Sequence, residues 1–240
     1  MNTDKLSKRL ETVAKYIPKN AKFADIGSDH AYLPCYMVKR NNVRFVIAGE
    51  VVDGPYQSAV KQVKQEGLSS NISVRKGNGL EVIEPNEVDC VTIAGMGGTL
   101  IATILENGKN KLKDSVQRLI LQPNVSASSI REWLLKNDWI LIDEEILEED
   151  GKIYEVLVAE KGDSRPLYEL NKEKALLFGP FLMKEKNAAF VKKWTHEKKN
   201  WQRILTNLKS APESEENTQK SKELERKIKL VDEVITNEDN

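Results

Sequence analysis

Apolar residues first recur at helical spacing: Leu6, Leu10, Val13 and Ile17 predict an amphipathic helix that closes before Pro18. From residue 22 the pattern changes to short apolar runs separated by amphipathic stretches. Runs at 22–26, 44–49, 72–75, 88–94 and 118–122 read as buried strands, and the intervals 31–40, 55–67, 97–107 and 127–137 as helices. Strand–helix alternation with short turns predicts a parallel sheet covered on both faces. The stretch "WILIDEEILEEDGKIYEVLVAEK" then predicts two strands, 139–147 and 153–160, folded back on each other at Asp150–Gly151. The expected fold is thus α/β and Rossmann-like, mostly parallel, with an antiparallel hairpin at its end.

After Gly162 no further strand is expected. "RPL" marks a hinge, and Phe190, Trp194, Trp201, Ile204 and Leu208 form one helical stripe. A break at "SAPESEEN" separates it from a second stripe, Leu224, Ile228, Val231 and Ile235. Two helices with complementary seams predict an antiparallel, coiled-coil-like hairpin, whose first part is interrupted at Gly179–Pro180. Trp194 and Trp201 stand seven residues apart on that seam and read as hairpin core. Two domains are expected, 1–162 and 163–240.

Charge sharpens this division. The 240 residues carry 37 Lys or Arg and 37 Asp or Glu, yet residues 161–209 hold twelve basic against five acidic ones. A local excess of that size suits a polyanion, so Lys192, Lys193, Lys198, Lys199 and Arg203 are candidate RNA contacts, with Lys5 and Arg9 extending the track. The alternative is a solvated lysine face. His196 reads as a surface residue. Cys35 and Cys90 lie in apolar context without metal-type spacing, which predicts buried free thiols in a reducing compartment. No apolar run approaches the roughly 18 residues a membrane span needs. The expectation is a cytoplasmic monomer with no metal and no membrane partner.

The strand ends carry the chemistry. In doubly wound sheets ligands sit beyond the carboxyl ends of the strands, where strand order reverses. The first strand runs into "ADIGSDHAYLP", where Gly27 leaves room for a ligand and Asp25, Ser28 and Asp29 surround it. The second ends in "AGE", placing Glu50 where an acid accepts both hydroxyls of a ribose. Asn78 and Gly79 follow the third, beside an adenine-sized site. The fourth ends in "AGMGG", whose Ala94, Gly95 and Met96 open a wall of main chain. Each has a bland alternative: a tight turn, a solvated acid, a surface turn. Their succession along one rim points to a nucleoside cofactor.

A nicotinamide dinucleotide would call for three glycines spaced G-x-G-x-x-G. After Gly27 stand Ser28, Asp29, His30 and Ala31 instead, and carboxylates suit a sulfonium with an ammonium group, S-adenosyl-L-methionine. The segments "ADIGSDHAYLP", "AGE", "GNGL", "AGMGG" and "LQPN", in this order, resemble the bacterial tRNA (adenine(22)-N(1))-methyltransferase family along the whole chain. The resemblance implies a class I methyltransferase fold, S-adenosyl-L-methionine as donor, and transfer to ring nitrogen 1 of an adenine in the tRNA D-loop. Against the wider methyltransferase pattern, Asp29 and Ala31 replace glycines and Asn78 stands where an acid is common.

Adenine nitrogen 1 attacks with its own lone pair, so alignment and stabilisation of positive charge matter more than a strong base. Asp29 is the candidate for holding the exocyclic amine, with helix N-capping as its other use. His30 and Tyr32 offer rings to an extruded base, or simply pack. Asn124 of "QPN" either meets the base edge or caps the next helix, with capping favoured. Two rivals remain at this level: a nicotinamide-dependent oxidoreductase on the same strand order, and a non-catalytic RNA-binding adaptor.

Overall fold

The computed structural model describes residues 2–210, 212 and 214–236. The turn expected at "SAPESEEN" includes Ala211 and Glu213, and the expected second domain ends at 237–240; these lie outside the described residues. In chain order the first half runs α1 (Lys8–Tyr16), β1 (Ala21–Ile26), α2 (Tyr32–Lys39), β2 (Val43–Glu50), α3 (Asp53–Gln65) and β3 (Ile72–Lys76). It continues through β4 (Cys90–Gly97), α4 (Gly98–Asn107), β5 (Arg118–Val125), α5 (Ala127–Lys136), β6 (Trp139–Glu149) and β7 (Lys152–Lys161). Leu6 lies ahead of α1, whose N-cap is Ser7, accepting from the Leu10 N–H.

The seven strands lie in the order β3-β2-β1-β4-β5-β7-β6, with β7 antiparallel to both neighbours. The order reverses between β1 and β4, which makes their carboxyl ends the ligand-binding crevice. Successive strand residues feed opposite cores. Val156 and Val158 of β7 join the cluster of α1, α2 and α3, whereas Leu157 and Ala159 join that of α4 and α5. That period of two explains the continuous apolar runs: both faces are covered, so no position alternates to polar.

Beyond β7 come a 3₁₀ turn at Arg165–Tyr168, then α6 (Lys172–Phe178), α7 (Leu182–Glu185), α8 (Ala188–Lys209) and α9 (Glu215–Thr236). Gly179, at φ 92, ends α6 as expected, and Asn187 caps α8 by accepting from the Phe190 N–H. Phe178, Leu182, Phe190, Trp194, Leu230, Val231 and Val234 form a third core that also holds Ile146 of β6. Trp194 is buried and packs 6.2 Å from Trp201, as expected of a hairpin seam. The helical arm is therefore joined to the sheet at its β6 edge.

Candidate active site at the carboxyl rim of the sheet

Beyond β1 the chain makes a turn that propensity disfavours. Gly27 stands at φ 71, and Asp29, His30 and Ala31 follow at φ 38, 64 and 55. Left-handed backbone costs a non-glycine residue roughly 1–2 kcal/mol, so three in succession persist only where the surroundings hold them. Two anchors do so. Asp25, buried, accepts from Ser28 Oγ and Thr92 Oγ1, both at 2.6 Å. Glu50, also buried at the end of β2, accepts the Asp29 N–H. Burial pushes both carboxyls above their ordinary range, against the hydroxyls around Asp25 and the amide at Glu50.

The turn opens on a cleft of about 220 Å³. Asp25, Gly27, Ser28, Asp29, Ala94, Gly95 and Met96 all line it, which brings seven of the expected donor-binding residues together. A Cβ on Gly27 would be strained at φ 71 and would push aside Met96, whose Cε lies 2.2 Å from that position. Glu50 reaches the cleft through its bond to Asp29. Asn78 and Gly79 line a separate chamber of about 70 Å³ with Ile104 and Asn107, and the Asn78 N–H donates to Glu81 Oε2 at 3.1 Å.

Arg9, expected on the RNA-facing track, lines the cleft and donates to Gln122 Oε1 at 2.5 Å. Gln122, wholly buried, also accepts the Gly95 N–H at 2.9 Å. Nothing in a helical stripe could announce this, because Arg9 occupies what reads as the polar face. The expected capping by Asn124 is not found. Asn124 belongs to β5 and donates to the Gly95 carbonyl at 2.8 Å, while Ser126 precedes α5. Asp29 is not a cap either; the residue before α2 is Ala31, without a side-chain cap. Its carboxylate stands exposed, 3.5 Å from His30 Nε2, and His30 stacks on Tyr32 with ring centroids 5.4 Å apart. The exposed Asp29 carboxylate thus stands at the mouth of the cleft, followed in the chain by the exposed His30 ring and the half-buried Tyr32 ring, which packs against the core of α1, α2 and α3.

The basic helix is partly self-neutralised. Lys192 pairs with Glu148 at 2.5 Å, Lys193 with Glu155, and Lys198 with Asp232. Lys5, Lys199 and Arg203 are exposed; Arg203 donates to Asn200 Oδ1 at 3.1 Å. Both cysteines are buried, and burial pushes the Cys35 thiol up to about 12 and Cys90 higher still. No described helix is long and apolar enough to cross a membrane.

A family model of tRNA (adenine(22)-N(1))-methyltransferases matches residues 23–233. A Bacillus subtilis tRNA (adenine(22)-N(1))-methyltransferase is 58% identical over 236 residues, covering 98% of this chain and 99% of the relative. The crystal structure of the B. subtilis M1A22 tRNA methyltransferase superposes with a TM-score of 0.93 at 57% identity, across 97% of this chain and 99% of that one. A Streptococcus pneumoniae relative, solved in complex with S-adenosyl-L-methionine, gives a TM-score of 0.86 at 44% identity, across 96% and 100%. With the match running from β1 into α9 and the glycine turn, the acids and the small-residue wall on one rim, the chain belongs to the tRNA (adenine(22)-N(1))-methyltransferase family.

Proposed function

We infer that the chain transfers a methyl group from S-adenosyl-L-methionine to nitrogen 1 of adenine 22 in tRNA. The observation that carries this is the cleft at the β1–β4 crossover, with the exposed Asp29 carboxylate at its mouth. The cleft fits the donor: Gly27 and Gly95, both at positive φ, leave main chain open, and acids border it. Gly27, Ser28, Ala94, Gly95 and Met96 would hold the donor, with Asp25 fixing the turn behind them, Glu50 at the ribose and Asn78 and Gly79 toward the adenine.

Bound there, the donor would supply an electrophilic methyl carbon on a cationic sulfur. The protein's part is alignment and charge. Asp29 accepts a hydrogen bond from the exocyclic amine, enriching the ring and stabilising the cation that forms. His30 and Tyr32 give the extruded base a flat surface, and Asn124 steadies the Gly95 wall opposite. Asp25 holds the turn through Ser28 and Thr92 rather than touching substrate. Arg9 is a positioning residue acting through Gln122.

Residues 1–162 form the methyl-transferring domain, and 163–240 the domain that engages tRNA, through Lys192, Lys193, Lys198, Lys199 and Arg203, with Lys5 on the other side. Nitrogen 1 brings its own lone pair, so the reaction needs no metal, and we place the chain in the cytoplasm with its tRNA, acting as a monomer. Reaction of unmodified tRNA with methyl-labelled donor, followed by mass-spectrometric mapping, tests this. One methyl at adenine 22 is expected; tight binding without transfer, or thermal stabilisation by NADH and not by S-adenosylhomocysteine, would overturn it.

A further inference from the structure

Between α8 and the rim of the sheet lies a cavity of about 570 Å³, larger than the donor cleft. Asn124 and Ser126 form one side, and Lys192, Trp194, His196 and Trp201 the other. We propose that it receives a nucleotide of tRNA flanking the methylated adenine, its phosphate toward Lys192 and its base against Trp201. This rests on the methyl-transfer reading above.

Three observations carry it. The first is place. Asn124 lines this cavity and donates to the carbonyl of Gly95, which lines the donor cleft, so a single hydrogen bond joins the linings of the two spaces. A base turned out of a loop brings its neighbours with it, and the space they need lies next to the one it enters. The volume lies within the range of small-molecule sites.

The second is chemistry. Lys192 is exposed and, among the described residues, pairs with the half-buried Glu148; a pair at the surface of this kind exchanges readily for a phosphate. Ser126 opens α5 at φ 59 and offers no side-chain cap, so the first amides of that ten-residue helix remain suited to an anion. Trp201 supplies a ring for stacking, and Val125 at the lip is 65% exposed. The twelve-to-five basic excess over residues 161–209 favours a polyanion over a peptide.

The third is an incomplete wall. The Trp194 indole N–H, in the cavity wall, is buried without a hydrogen-bond partner among the described residues, an unusual state for a strong donor.

The test uses the full chain. Lys192→Ala and His196→Ala change exposed side chains, so folding is preserved. Together they are expected to raise the KM for unmodified tRNA roughly tenfold, with the Kd for S-adenosylhomocysteine unchanged. Ultraviolet crosslinking is expected to join nucleotides beside adenine 22 to the α8 peptide bearing Trp201. An unaltered KM in the double variant overturns the proposal, as do crosslinks confined to other peptides. If the unaltered chain transfers no methyl group, the functional reading fails separately, while the crosslink map still decides whether RNA enters the cavity.

Discussion

Arg131 of α5 and Glu144 of β6 meet at 2.6 Å with neither side chain exposed to solvent. The same guanidinium reaches Glu155 of β7, also at 2.6 Å, and Glu155 receives Lys193 from α8. Glu144 accepts the Phe181 N–H at 3.0 Å, and Arg131 donates to the Leu176 and Leu177 carbonyls. Gly179 packs so closely that a Cβ there would lie 2.6 Å from both Arg131 Nη2 and Glu144 Oε2. Sheet, α5 and helical arm thus share one buried set of charges. Burial alone would raise the Glu155 carboxyl, but Lys193 and Arg131 outweigh it and hold it below the usual range.

Arg131→Met removes the cation, strands the Glu144 carboxylate indoors and leaves Glu155 with Lys193 alone. Breaking a buried pair this way costs about 3–5 kcal/mol. The urea midpoint should fall accordingly, and adding Glu144→Gln and Glu155→Gln should recover part of the loss. A midpoint equal to the parent's would mean that solvent reaches the cluster.

Glu50 gives a pH dependence. Burial raises its carboxyl in the native chain above the ordinary glutamate range. A raised folded pKa means that this group's contribution to stability is full below the unfolded value and is lost as pH rises through the folded one. In the proposed site the ribose hydroxyls donate to the ionised form, so the Kd for S-adenosylhomocysteine should weaken as pH falls through that raised value. Glu50→Gln should flatten the profile and weaken binding roughly tenfold to hundredfold, the worth of hydrogen bonds to a charged group. A pH-independent parent Kd would remove Glu50 from the donor site.

Asp29→Ala separates chemistry from donor binding. Loss of a charged acceptor at the exocyclic amine should lower single-turnover rate roughly tenfold to hundredfold, with the Kd for S-adenosylhomocysteine within about twofold. Equal losses in both would make Asp29 a donor ligand.

Two glycines should behave oppositely. A Cβ on Gly98 would fall 2.0 Å from the Ser126 carbonyl oxygen, a backbone atom that cannot swing away. Gly98→Ala should cost at least about 1–3 kcal/mol. Gly54 lies in α3 with nothing within 4 Å of its Cβ position. Gly54→Ala should be neutral or stabilise by up to about 1 kcal/mol. Thermal unfolding of the two variants decides.

The lysines divide by partner. Lys199→Glu with Arg203→Glu should lower the slope of log K against log salt for tRNA by roughly two. Lys193→Gln should instead lower the urea midpoint, because Lys193 compensates the buried Glu155. An unchanged slope in the first pair would return both residues to an ordinary solvated face.

Much of this molecule was readable before folding, for a definite reason. Strands covered on both faces leave unbroken apolar runs, and the acids and glycines that end them fall on one rim by topology alone. What stayed hidden depends on remote partners. Arg131 reads as the polar side of a helix until Glu144 and Glu155 arrive from β6 and β7. Arg9 reads as a surface cation until Gln122 meets it. The left-handed run Asp29–Ala31 opposes local preference, so no propensity could foretell it; only the anchors at Asp25 and Glu50 explain it.

The Glu149 carboxylate, beside the β6–β7 turn, accepts the Lys8 and Arg9 N–H groups at 2.6 and 3.2 Å. Arg9 in turn touches Gln122, and Gln122 the Gly95 amide. A tug at Glu149 therefore reaches Arg9, 140 positions away in the chain and itself on the wall of the pouch at the β1–β4 crossover, and passes through Gln122 to Gly95 on the same wall. Residues on that outlying loop belong among the determinants of how the pouch is shaped, though none of them borders it.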